Sequence, residues 1–86
     1  MLRPPSDAQP ETRTMRPVKR SFTIAGHRTS ISLEAAFWDA LKEAAAEEKE
    51  PISKLVARID QSRGGGGLSS AVRVWVLARL RERALR

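Results

Sequence analysis

Only one short segment of this 86-residue chain reads as β-strand, and nearly everything after it reads as helix. Thr29, Ile31 and Leu33 alternate with Arg28, Ser30 and Ser32, the period of two that separates the faces of a strand. A strand on its own leaves its N–H and C=O groups unpaired, so it needs a neighbour. Two arrangements supply one. Phe22–Ala25 can fold back on Arg28–Leu33 through Gly26-His27, a two-residue type II′ turn with glycine first. That register sets Phe22 across from Ile31 and Ile24 across from Thr29, keeping apolar residues on one face. Alternatively the second strand comes from another copy. The two can coexist, each hairpin pairing with its twin at the outer edge.

Helical periodicity follows. Ala36, Phe37, Ala40, Leu41, Ala44 and Ala45 form one apolar stripe along a helix expected over Ala35–Lys49, with Trp38 at its edge. Ser32 or Leu33 falls at its cap, and Glu34 suits the positive end of its dipole. Pro51 ends that helix and opens a second, whose face is Ile52, Leu55, Val56 and Ile59. Gly64–Gly67 then make a flexible hinge; without a following Lys-Ser/Thr pair they are no phosphate loop. Leu68-Ser69-Ser70 reads as a staple residue and N-cap for a third helix. From Ala71 to Leu80 that helix is apolar on almost every side, which predicts burial.

Size limits the outcome. Residues 1–20 hold four prolines and few apolar groups, and are read as a disordered basic arm. About 65 residues remain to fold as one domain over 21–86, a length at which a single core is marginal without a staple or a partner. There is no cysteine and one histidine, so no disulfide or thiolate metal site serves as the staple, and no cofactor is expected. Self-association is the remaining route, which predicts a homodimer. The absence of an apolar run of membrane-spanning length and of a signal-like N-terminus predicts a soluble, cytoplasmic protein.

The formal charge of +6 is unevenly spread: +4 over residues 1–33, −4 over 34–50, +2 over 51–67 and +4 over 68–86. An anionic partner is therefore expected at the arm, the strand region and the last helix, with the acidic stretch turned away. The acids cluster on one solvated helix and His27 has no evident partner. No nucleophile–base pair or carboxylate pair is apparent, so no enzyme is expected.

Arg28-Thr29-Ser30-Ile31-Ser32-Leu33-Glu34, leading into Phe37-Trp38-Asp39-Ala40-Leu41-Lys42, closely resembles the start of ribbon-helix-helix DNA-binding domains. The run Lys19–Leu33, with Leu68-Ser69-Ser70-Ala71 later, is similar to a short bacterial subfamily that adds a third helix. The resemblance covers about residues 19–80 and implies a mostly helical α+β fold. It also implies an intertwined dimer, whose intermolecular antiparallel ribbon enters the major groove of double-stranded DNA. Carried over, Arg28, Ser30 and Ser32 contact bases. Lys19, Arg20 and His27 contact phosphates, as do Ser53 and Lys54 at the anion-binding start of the second helix. Ile31, Leu33, Phe37, Trp38, Leu41, Leu55 and Ile59 form the dimer core.

The function so implied is that of a nucleoid-associated transcriptional regulator that reads DNA sequence. The rival is an interaction module or antitoxin whose C-terminal helix binds a protein partner.

Overall fold

The computed structural model describes residues 16–86. Their order is β1 (Pro17–Ile24), β2 (His27–Glu34), α1 (Ala35–Glu47), α2 (Ile52–Ser62) and α3 (Leu68–Ala84). Of the expected N-terminal arm, residues 1–15 lie outside the described residues, and Pro17–Arg20 belong to β1. Within the single chain the fold-back alternative is the one taken. β1 and β2 form a two-stranded antiparallel hairpin.

The turn and register differ from those expected. Ile24 pairs with His27, so the turn residues are Ala25 and Gly26, with φ of 53° and 83°. Positive φ at both central positions defines a type I′ turn, which matches the right-handed twist of the strands. Phe22 therefore faces Thr29, and Arg20 faces Ile31. The shift from the expected register is two residues, and a shift of two leaves every side chain on its original face. That is why alternation identifies the faces correctly although the turn lies elsewhere.

Three features dock the hairpin on the helices. Ile24, Ile31 and Leu33 on its inner face are buried against Trp38, Leu41, Ala44 and Ala45 of α1, Leu55, Val56 and Ile59 of α2, and Val72 and Val76 of α3. Trp38 donates its indole N–H to the Val18 carbonyl at 2.9 Å and stacks on Phe22, ring centroids 6.0 Å apart. Lastly, α3 closes the far edge of β2. In a hairpin with this turn, pairs 24/27, 22/29, 20/31 and 18/33 exchange hydrogen bonds. Ser32 therefore turns its N–H and C=O away from β1. Its N–H is accepted by Ser69 Oγ at 3.0 Å, and its carbonyl accepts from the Arg73 guanidinium at 3.1 Å. Arg73 also grips both carboxylate oxygens of Glu34, at 2.9 and 3.1 Å.

Ser69 is thus occupied in tertiary structure. The N-cap position of α3 is Gly67, and no side chain caps the helix. Likewise Glu34, not Ser32 or Leu33, holds the N-cap position of α1. The third helix is also less buried than its composition predicts: Val72 and Val76 are enclosed, whereas Val74 (67%), Leu77 (52%) and Leu80 (49%) are exposed. The seven residues expected in a dimer core lie inside the single chain, six buried and Phe37 half-buried against the core.

Two L-residues adopt left-handed backbone. Ala25 does so in the turn. Lys49 does so where α1 ends, with Glu50 N–H bonding the Ala45 carbonyl and Lys49 N–H that of Ala46, a Schellman closure usually made with glycine. Ala25→Asn and Lys49→Gly should therefore each stabilise the fold by about 1 kcal/mol, the scale of the left-handed penalty. Chemical denaturation should show higher midpoints at unchanged slope, and lower midpoints would contradict this reading of both turns.

Candidate nucleic-acid interface

Register decides which side chains share the solvent face of the hairpin. Lys19 faces Ser32, Ser21 faces Ser30, and Thr23 faces Arg28. Directly opposed residues project to the same side of the sheet, here the side away from Ile31 and Leu33. All are exposed except Ser32, which is half-buried. The face is thus a narrow, twisted ribbon of hydroxyls with a cation towards either end, and its hydroxyls can each donate or accept.

The sequence-derived contacts fall into three groups. Arg28, Ser30 and Ser32 are brought together on this outer face, with Lys19 beside them. Arg20 has the opposite parity: its guanidinium lies 5.2 Å from the Trp38 ring centroid, at the β1 border. His27 ends the turn, exposed and paired with Ile24. Ser53 and Lys54 are exposed in the first turn of α2. That turn lies against β1, because Ile52 lines a cleft with Arg20, Ser21, Phe22, Trp38 and Lys42. The Lys54 N–H is bonded to the Pro51 carbonyl at 3.0 Å, so its backbone donor is already used. Lys54 can offer an anion only its ammonium, while Ile52 and Ser53 keep the backbone N–H groups unsatisfied at a helix start.

Sequence reasoning missed Ser21 and Thr23 because it took its candidate contacts from β2 alone, although either hairpin register puts both on the outer face. It also missed Arg16 and Lys42, which line a second cleft with Val18, Arg20, Trp38 and Asp39.

The electrostatic layout corrects one expectation. The arginines of the last helix were expected to meet an anionic partner, but most are occupied internally. Arg79 bonds Glu47 at 2.5 Å and Glu48 at 2.7 Å, and Arg83 also bonds Glu47. Arg58 bridges Glu48 and Glu50, and Arg73 holds Glu34. Among the described residues, Lys19, Arg20, Arg28, Lys42 and Lys54 have no carboxylate within ion-pair distance. Glu34, Glu47, Glu48 and Glu50 are therefore paired with arginines of α2 and α3, whereas Asp39 and Glu43 have no such partner among the described residues. No group of residues able to hold a metal ion occurs among the described residues, and none of their helices is long and apolar enough to cross a membrane.

This architecture can be placed among known proteins. Residues 17–80 match the ribbon-helix-helix domain, and the chain belongs to that family. A solved structure of an uncharacterized protein from Bordetella pertussis Tohama I is similar, with a TM-score of 0.73 and 28% identity. The match covers 85% of this chain and 62% of that one, so this chain spans about three-fifths of that protein's length. No curated protein gives a significant match.

The arginine clamps make stability acid-sensitive. Hydrogen bonds from Arg73 hold the Glu34 carboxyl below its ordinary value, and those from Arg79, then Arg83, do so for Glu47. Arg79 does the same for Glu48. A carboxylate whose pKa is lowered in the folded state adds stability that is fully present above its unfolded value. That stability is lost as pH falls through the folded one. Tm should therefore be nearly flat from neutral pH down to about 5 and fall below 4.5, the ordinary value for these groups. Arg79→Gln should flatten that acid limb in a Tm–pH series; an unchanged limb would show that the clamp contributes nothing.

Proposed function

We propose that the chain is a double-stranded DNA-binding protein, a transcriptional regulator that sets the outer face of its hairpin into the major groove. The observation that carries this is the exposed face of Arg28, Ser30 and Ser32 with Lys19, free of carboxylate partners among the described residues and borne on a ribbon-helix-helix frame. A two-stranded ribbon fits the width of that groove, and the four base pairs are distinguishable there. Arg28 supplies the contact suited to guanine O6 and N7, while Ser30 and Ser32 accept or donate at several base edges. Lys19 and Arg20, His27 beside the turn, and Ser53 with Lys54 at the start of α2 bind the flanking phosphates.

A homodimer completes the reading. Val74, Leu77 and Leu80 leave an apolar surface on α3 that a second copy can cover, pairing two readers on one duplex. Such a regulator acts on the nucleoid, in the cytoplasm, and its chemistry is recognition without catalysis.

A second reading has its own support. A groove of about 480 Å³ between α2, the glycine loop and α3 is lined by Ile59, Ala71, Val74, Trp75 and Ala78, a surface suited to an apolar segment of a protein partner. This is the interaction-module or antitoxin role, in which α3 binds the partner. Its affinity would change little with salt, whereas DNA binding through several phosphates falls steeply.

Repeated selection from a pool of random duplexes tests the proposal. Enrichment of a defined site is expected, with Arg28→Ala weakening binding to it about tenfold. Tm should stay unchanged, because Arg28 is exposed. No retention of DNA at low salt would overturn the proposal and leave the protein-partner reading.

A further inference from the structure

Resting on the DNA-binding reading above, we infer that a trough beside the hairpin, between β1 and α1, holds consecutive phosphates of one DNA strand. Lys42 of α1 and Arg16 are then backbone contacts alongside Arg20.

The trough is built around Trp38. Its indole N–H bonds the Val18 carbonyl at 2.9 Å, which fixes the ring against β1, and Phe22 stacks on it. One cleft beside the ring is lined by Arg16, Arg20 and Lys42, and the next reaches Ser21 and Ile52. Arg20, Trp38 and Lys42 line both, so the clefts are continuous from Arg16 to the start of α2. Lys42 stands four residues after Trp38, the spacing that puts both on one side of α1.

The state of these cations points to an anion. Arg58, Arg63, Arg73, Arg79 and Arg83 each hold a carboxylate. Arg20 and Lys42 hold none among the described residues, although Asp39 lines the same cleft. Arg20 is nonetheless held in place, its guanidinium 5.2 Å from the Trp38 ring centroid. A cation–π contact restrains a side chain without consuming its N–H donors, which stay available to a ligand.

The shape of the trough says which anion. Cations spread along an open trough suit a ligand whose own charge repeats along its length, as a phosphodiester strand's does. A compact anion would reach only part of them. Ile52 and Ser53 add unsatisfied backbone N–H groups where the trough meets α2. Contacts of this kind position a duplex and make its binding salt-dependent, but carry no base information.

Salt titration of binding to a mixed-sequence duplex tests this. Each phosphate neutralised adds about 0.9 to the slope of log affinity against log salt. Lys42→Gln is expected to lower that slope by about 0.9 and leave selected base preferences unchanged, while Lys42→Arg keeps it. Arg81→Gln removes the same charge from α3, where Arg81 is exposed, and is expected to leave the slope as it is. An unchanged slope for Lys42→Gln would overturn the trough and leave the DNA-binding proposal standing. Equal losses for Lys42→Gln and Arg81→Gln would do the same, since net charge alone would explain them. Sedimentation of Lys42→Gln should match that of the unsubstituted protein; an altered mass would make Lys42 an assembly contact and overturn the inference. No salt-dependent binding by the unsubstituted protein would remove the DNA-binding proposal, and the inference with it.

Discussion

The bonds that α3 makes to the outer edge of β2 organise the rest of this molecule. A two-stranded hairpin is not stable alone, and its free edge invites association. Ser69 and Arg73 satisfy that edge at Ser32, and Glu34 fixes Arg73 against it. Once α3 is anchored there, Val72 and Val76 meet the core, and Arg79 and Arg83 come within reach of Glu47 and Glu48. The tetraglycine loop permits this return because it imposes no backbone preference of its own.

This arrangement also partitions charge. Glu47 of α1, and Glu48 and Glu50 after it, are matched against arginines from α2 and α3, while Lys19 and Arg28 of the hairpin have no carboxylate partner among the described residues. Formal charge along the sequence suggested a positive last helix. Folding cancels most of that charge and leaves Lys19 and Arg28 on the exposed face. In the proposed function, electrostatic attraction draws an anionic polymer towards the surface whose hydroxyls would discriminate bases.

Much of this was legible in the residues. Alternation at Arg28–Leu33 identified both faces of β2, and the apolar stripes gave three helices with boundaries close to those observed. The turn was misplaced because Gly26 fits either the first position of a type II′ turn or the second of a type I′ turn, and only backbone angles separate them. Burial of α3 was overestimated because composition shows how apolar a helix is, not how much neighbouring surface exists to cover it. Ser69 read as a cap because a serine near a helix start usually is one; its bond to Ser32 spans 37 residues and leaves no local trace. The outer face was half visible: β2 announced itself by alternation, while Ser21 and Thr23 join it because the hairpin closes within the chain, in the expected register as in the observed one.

The central claim is that nucleic acid meets the outer face of the hairpin. Titrating isotope-labelled protein with duplex DNA while following its backbone amide resonances tests this most directly. The largest shifts are expected at Lys19, Ser21, Thr23, Arg28 and Ser30, with smaller ones at Ile52 and Ser53 and little change along Val74–Arg86. Shifts concentrated on α3, with the hairpin amides unmoved, would contradict it.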